Sequence, residues 1–321
     1  MRNSDENAGI MAEVASLYFE QGLSQQEIAD RLFFSRSKVS RLLTKAIEEK
    51  VVEITINYPM ERVYSIEQEL KSIYGLKEAI IIKDYGTSFP MLLKRVTKIA
   101  AAHLDSVLKV HTPFGITWGE TVYNVIDAIK PSEKKYINVI QLMGSAEHEA
   151  HSAYDTPELV RKLVDKYDGN ISQIYCPLVV ENELVRNSLI KEPIIRRVLD
   201  EAREAKVVLT SVGEFYNNKM KAWEPVLTPQ VKTKLKSEGV AGVLLAHFIR
   251  ADGSLVDEEL DKKVIGISLE DLKHIDNVIA VAAGTKKAKS VFGALNGGYI
   301  NTLIIDELLA NEVLKLCRKY Y

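Results

Sequence analysis

The stretch Ser24-Gln-Gln-Glu-Ile-Ala-Asp-Arg-Leu-Phe-Phe-Ser-Arg-Ser-Lys-Val-Ser-Arg-Leu-Leu43 decides how the N-terminal region is read. Ser24 and Glu27 fit a capping box, with the hydroxyl facing the Glu27 amide and the carboxylate reaching back. Ile28, Ala29 and Leu32 then give the apolar face of a helix of about two turns. Ser35 caps a second helix, with Arg36, Ser37, Lys38, Ser40, Arg41 and Lys45 on its polar side and Val39, Leu42, Leu43 and Ile47 beneath. Two short helices across a tight turn, the second basic, have the form of a helix-turn-helix. An earlier helix, Gly9 to Gln21, supplies Val14, Leu17, Tyr18 and Phe19 to close a three-helix core.

The polar positions of the second helix divide by task. Arg36, Ser37 and Ser40 lie in its first turns, where a recognition helix meets base edges in the major groove. Arg41, Lys45 and Lys38 are placed to neutralise phosphates. With the capping Ser35, these seven residues are the expected DNA-binding set. Residues 1–60 hold seven Lys or Arg against nine Asp or Glu, and the remainder holds 35 of each. A protein that coats nucleic acid without selectivity is more basic than this. Positive charge confined to one helix fits a sequence-specific oligomer, because a single such module contacts too little DNA to bind tightly.

Val51-Val-Glu-Ile-Thr-Ile56 reads as a short alternating strand, part of a wing, ended by Pro59. Val63, Ile66, Leu70 and Ile73 recur at helical spacing from Glu61 to Tyr74, and Gly75 terminates that helix. The expected organisation is a DNA-binding domain over residues 1–58, a linker helix over 59–78 and one large domain over 79–321. No apolar run is long enough for a membrane span, and the N-terminus is polar and acidic, unlike a signal peptide. Cys176 and Cys317 form neither a disulfide framework nor a metal pattern, so a cytoplasmic, reduced protein is expected.

The large domain alternates apolar strands with helical segments. Expected strands are Ala79–Ile82, Thr112–Thr117, Tyr136–Leu142, Ile171–Cys176, Val207–Val212, Gly242–Phe248, Val278–Ala282 and Thr302–Ile305. Between them lie helical patterns at Leu92–Leu108, Glu120–Ile129, Pro157–Tyr167, Ile194–Ala205, Lys286–Leu295 and Glu307–Lys319. This is the pattern of a mostly parallel α/β sheet, which binds ligands beyond the carboxyl ends of its strands. Polar residues and glycines gather there. Phe114-Gly-Ile-Thr-Trp-Gly-Glu-Thr121 passes from a strand directly into a helix, and its amides with the Thr117 and Thr121 hydroxyls suit a phosphate. Ala283-Gly-Thr-Lys-Lys-Ala288 places two cations at a helix start, unfavourable to the helix dipole unless an anion is present. Trp118 is either core or an aromatic wall for a sugar. Asp252-Gly253 is a turn pair, and Asp306 ends the last strand and opens the last helix.

Several ordered motifs together resemble the SorC family of bacterial sugar-responsive transcriptional regulators. They are Leu17–Leu32, Val39–Leu43, Gly115-Ile-Thr-Trp-Gly119, Gln141-Leu-Met-Gly144, Val264–Leu272, Ala283–Ala288 and Leu295–Glu307. The resemblance covers nearly the whole chain. It implies a large domain similar to sugar-phosphate isomerases and to glucosamine-6-phosphate deaminase, binding a phosphorylated sugar as effector, in a homodimer or homotetramer. By resemblance, the phosphate loop maps to Gly115–Thr121, including Trp118 and Gly119, and the effector-domain lysine to Lys287. Gln141 falls where the family contacts its effector, and Asp252 is a candidate ligand for sugar hydroxyls. The chain departs from the family at Phe33, commonly Gly, at Leu209–Gly213, at Ala283-Gly284 and at Ile305–Glu307.

The expectation is a repressor or activator on double-stranded operator DNA, with no cofactor, no metal and no membrane partner. The alternative is a sugar-phosphate isomerase or deaminase carrying a DNA-binding arm, which a lysine near a sugar carbonyl would permit. No well-placed carboxylate and histidine pair emerges to support it. His148 and His151, with Glu147, Glu149 and Asp155, read as a solvated polar loop. A third possibility is an oligomerisation scaffold whose ligand site has been lost.

Overall fold

Ser24 and Ser35 do what their sequence positions predict. In the computed structural model, which describes residues 2–52, 61–145, 153–215, 223–224 and 226–320, the Ser24 hydroxyl accepts from the Glu27 amide and Glu27 returns a bond to the Ser24 amide at 2.8 Å. The Ser35 hydroxyl accepts from the Lys38 amide at 3.2 Å. These caps open α2 (Gln25–Leu32) and α3 (Arg36–Glu48), which follow α1 (Arg2–Phe19). The core of this unit is Met11, Val14, Ala15, Leu17, Ile28, Ala29, Val39, Leu43 and Ala46. Tyr18 and Phe19 stay largely exposed, as does Ile47. α1 buries its Met11–Val14–Ala15–Leu17 side, so the two aromatics at its end fall outside the stripe. The expected wing strand lies outside the described residues from Glu53 onward.

Phe33 makes the turn between α2 and α3. It takes the left-handed conformation, φ 55° and ψ 40°, with its side chain 96% exposed. A side chain at that φ costs about 1 kcal/mol relative to glycine. Replacing Phe33 by Gly is therefore expected to stabilise this unit by up to about 1 kcal/mol, while Phe33→Ala leaves the strain in place. Chemical denaturation of the two variants separates these outcomes.

The chain divides at residues 59 and 60 into this unit and a larger one. The larger unit begins with α4 (Tyr64–Tyr74), β1 (Glu78–Ile82), α5 (Phe89–Val107), β2 (Pro113–Ile116), α6 (Glu120–Ala128), β3 (Ile137–Gln141), α7 (Thr156–Tyr167) and β4 (Gly169–Ser172). Next come α8 (Glu183–Leu189), α9 (Pro193–Arg203), β5 (Val207–Thr210), α10 (Pro229–Ser237), β6 (Val240–Leu244), β7 (His247–Arg250) and α11 (Glu258–Asp261). It closes with α12 (Leu269–Lys273), β8 (Asn277–Val281), α13 (Ala288–Asn296), β9 (Thr302–Asp306) and α14 (Glu307–Tyr320). The helix expected as a separate linker, α4, packs into this unit against β1 and α14. Buried Glu67 fixes it there, accepting from the Ile81 amide and from Arg62. Gly75 ends it in the left-handed conformation, as expected.

Among the described residues, seven parallel strands form one sheet in the order β1-β9-β8-β5-β2-β3-β4. Strand period two sends alternate residues to opposite faces. In β9, Leu303 and Ile305 enter one core while Ile304 enters the other. The first core lies under α4, α9, α13 and α14; the second lies under α5, α6 and α7. Burial on both faces explains why β1, β8 and β9 are near-continuous apolar runs.

Two expected strands are placed differently. The run Gly242–Phe248 folds back on itself as the antiparallel hairpin β6–β7. Its turn residues Leu245 and Ala246 both have positive φ, 47° and 67°, and both are buried. The expected strand at Ile171–Cys176 instead begins at Gly169 and ends at Ser172. Gly169 has φ +123°, and a Cβ there would sit 1.9 Å from the Ile137 carbonyl oxygen. Gly169→Ala is expected to destabilise the unit by more than about 3 kcal/mol, visible as a lower denaturation midpoint.

Candidate DNA interface and effector crevice

The exposed side of α3 presents Arg36, Ser37, Lys38, Arg41 and Lys45, with Ser40 half-buried among them. Ser35 and Ser37 sit 3.1 Å apart through their hydroxyls, so the cap residue also holds the side chain of the first helical turn. Lys38 lies 3.6 Å above the Phe34 ring, a cation–π contact that fixes its stem. Lys45 pairs with Glu49 at 3.3 Å, one turn further on. Arg36 and Arg41 enter no ion pair among the described residues. Thr44, not singled out by the sequence reading, stands one turn beyond Ser40 and donates to its carbonyl. Its exposure and its place in the middle of this face were readable from helical spacing.

In the larger unit, the strand order reverses between β2 and β5. From β2 the chain moves outward through β3 and β4, then returns to β5 and continues through β8 and β9 on the other side. Such a reversal leaves a crevice at the strands' carboxyl ends, where ligands of doubly wound sheets bind. Thr117 and Thr210 meet there, their hydroxyls 3.3 Å apart and both buried. Gly119 has φ +120°, a conformation glycine supplies without strain, and serves as N-cap of α6 with no side-chain acceptor. Its own amide donates to the Tyr154 carbonyl. No acceptor among the described residues caps the Thr121 and Val122 amides, so the positive end of α6 opens on the crevice.

Lys287 reaches this helix start. Its ammonium lies 3.3 Å from the Thr121 hydroxyl, which joins two loops 166 residues apart in sequence. The helical pattern expected from Lys286 begins instead with a 3-10 turn, Thr285–Lys287, before α13. Asp306 organises that turn: one carboxylate oxygen accepts from the Gly284 amide at 2.7 Å, the other from the Leu309 amide at 2.9 Å. Burial pushes the Asp306 carboxyl above its ordinary range, against the pull of those two donors. Asp306→Asn turns an NH2 group toward one of them. It is expected to cost about 1–3 kcal/mol in stability, measured by denaturation at neutral pH.

The other sequence candidates are placed apart from this cluster or occupied. Trp118 is half-buried against the larger core. Gln141 is fully buried; its amide donates to the Met143 carbonyl and accepts from the Ile174 amide, which shapes the end of β3. Asp252 accepts from the Ser254 amide and hydroxyl, closing its own turn. Gly253 packs against Gly297 at the far end of α13, about 15 Å along the helix from Lys287. Sequence alone gave no means of separating Asp252 from the lysine. His148 and His151 lie outside the described residues, and among those described no His, Cys, Asp and Glu cluster could hold a metal. Cys176 and Cys317 are unpaired, and burial pushes the Cys176 thiol up to about 11.

Comparison with known proteins matches residues 58–315 to the family described as "Putative sugar-binding domain". This chain belongs to the SorC family of sugar-binding-domain transcriptional regulators. A second family description, sigma-70 region 4, fits residues 11–49, the helical unit that carries α2 and the basic helix α3. The chain is 28% identical over 309 residues to the deoxyribonucleoside regulator of Bacillus subtilis, covering 96% of this chain and 98% of that one. To the sorbitol operon regulator of Klebsiella pneumoniae it is 26% identical over 316 residues, with 98% and 100% covered. The crystal structure of that full-length regulator superposes with a TM-score of 0.72 at 25% identity, over 96% of this chain and 99% of the other. These relatives are named as regulators, and the isomerase or deaminase alternative finds no support among them. Among the described residues, no helix of this SorC-family chain is long and apolar enough to cross a membrane.

Proposed function

We propose that the chain regulates carbohydrate catabolism by sequence-specific binding to operator DNA under the control of a phosphorylated sugar. The observation that carries this reading is the Lys287–Thr121 contact at the start of α6, beside the strand reversal. An ammonium, two threonine hydroxyls and uncapped helix amides together match the charge and hydrogen-bonding needs of a phosphate. The Gly115–Thr121 loop holds the phosphate with Lys287. Gln141 acts by fixing the end of β3, and Asp252 by fixing its turn.

On the DNA side, Arg36, Ser37 and Ser40 read base edges, while Lys38, Arg41 and Lys45 contact phosphates, on a helix start set by Ser35. One such helix is too small a reader, so a homodimer or homotetramer binds paired half-sites. The effector acts by altering the spacing of those helices, a coupling that requires it to favour one assembly state over another. The chromosome lies in the cytoplasm, and the chain works there. The names of the relatives, a deoxyribonucleoside regulator and a sorbitol operon regulator, support a sugar-derived effector.

Calorimetry of the full chain against phosphorylated sugars and their unphosphorylated counterparts tests the ligand class. Binding confined to the phosphorylated members is expected. Equal binding of both, or none at millimolar concentration, would overturn the phosphate assignment.

A further inference from the structure

Phe33 carries two costs that nothing within the helical unit offsets. Its backbone lies in the left-handed region, φ 55° and ψ 40°, where glycine rests without strain. Its ring is 96% exposed, the most exposed large apolar side chain among the described residues. Phe34, next in sequence, is placed the other way. It packs against the core of the unit and lies under the Lys38 ammonium. The aromatic pair therefore divides at the turn, one ring inward and the other into solvent.

Phe33 stands two residues before Ser35, which caps α3 and whose hydroxyl meets that of Ser37. Two residues of chain span at most about 7 Å, or about two base-pair steps, so the exposed ring stands beside the first turn of α3. From Arg31 to Ile47 the sequence holds five Lys or Arg and no Asp or Glu. Arg31 and Arg36, on either side of the ring in sequence, are both exposed. A second copy of this face would bring like charges together, so the surroundings favour a polyanion as the occupant. Duplex DNA supplies the phosphates, and its major groove also presents an apolar group, the thymine C5 methyl.

We propose that Phe33 reads thymine, its ring packing on a C5 methyl in the major groove beside the bases met by the first turn of α3. This role rests on the operator binding proposed above. It adds a base preference that the hydrogen-bonding side chains Arg36, Ser37 and Ser40 do not supply, since the methyl offers neither donor nor acceptor.

The full chain and Phe33→Gly are each used to select binding duplexes from a random-sequence library at fixed salt. The wild-type chain is expected to select a thymine in each half-site that Phe33→Gly no longer prefers. Replacing that thymine with deoxyuridine removes the methyl alone. It should weaken wild-type binding about fourfold per half-site, the weight of one buried methyl group, and leave Phe33→Gly binding unaltered. Phe33→Leu, which keeps an apolar side chain, retains part of the dependence. Phe33→Gly is expected to be the more stable chain and the weaker binder, a combination that a purely structural residue would not give. Identical selections by the two chains, or no position at which deoxyuridine weakens the wild type more than Phe33→Gly, would overturn thymine reading and leave operator binding standing. Selection of no sequence by the wild-type chain would overturn both. An altered oligomeric state in Phe33→Gly with unchanged base preference would place a protein on the ring, and overturns the thymine contact as well.

Discussion

Replacing Lys287 with Ala is expected to weaken phosphosugar binding by about ten- to a hundredfold. A charge-assisted hydrogen bond to a phosphate is worth about 1.5–3 kcal/mol, and the lysine is the cation that the fold brings onto the α6 start. Its position is built from three directions. Asp306 holds the Gly284 amide, the 3-10 turn carries the lysine forward, and Thr121 meets it from across the crevice. Lys287→Arg retains the charge but not the compact ammonium, so an intermediate loss follows. Titration calorimetry reads the change. DNA affinity without effector should be unaltered in both variants, which separates loss of the ligand from loss of the fold.

Arg41→Ala is expected to weaken operator and non-operator DNA alike, by about tenfold per helix, and to lower the salt slope by about one for each helix engaged. Arg41 stands exposed on the middle of α3, in no ion pair with a described residue. Arg36→Ala acts differently. It removes the group proposed to read bases from the first turn and should cost about 1–3 kcal/mol on the operator with little change on random DNA. Lys45→Ala should fall below both, since Lys45 is shared with Glu49. Fluorescence anisotropy at several salt concentrations, on operator and scrambled duplexes, distinguishes the three. In the proposed oligomer at least two copies engage one operator, so each loss would compound.

Local chemistry made parts of this molecule legible from sequence. The capping box of Ser24 and Glu27, the Ser35 cap, the Gly75 stop and the Asp306 start of the last helix, with its bond to the Leu309 amide, involve partners within a few residues, and all appear as expected. The parallel sheet was readable because doubly buried strands leave long apolar runs. The hairpin at Leu244–His247 was not, because its turn carries Leu245 and Ala246 where glycine or asparagine usually marks the reversal. Burial of both side chains holds that turn without the usual residues. The start of β4 was missed for a related reason. Gly169 marks a close approach to Ile137 that has no trace in the local hydrophobic pattern.

The elements of the proposed crevice were legible one by one, but their meeting was not. Glycine spacing marked the Gly115–Thr121 loop, two cations at a helix start marked the pair Lys286 and Lys287, and only the family resemblance pointed to Lys287 within it. Nothing in the spacing of residues 166 apart states that Lys287 meets Thr121. Asp252 shows the converse. Its side chain closes a turn at the other end of α13, a separation that only the strand order and helix direction reveal.

The measurement that bears most directly on the central claim is operator affinity with and without a phosphosugar, for the wild-type chain and for Lys287→Ala. The phosphosugar is expected to shift wild-type affinity at least fivefold, a typical lower bound for allosteric coupling. Its unphosphorylated form should not, and Lys287→Ala should bind the operator normally without responding. A wild-type affinity that no phosphosugar moves, or a variant that responds as the wild type does, would contradict it.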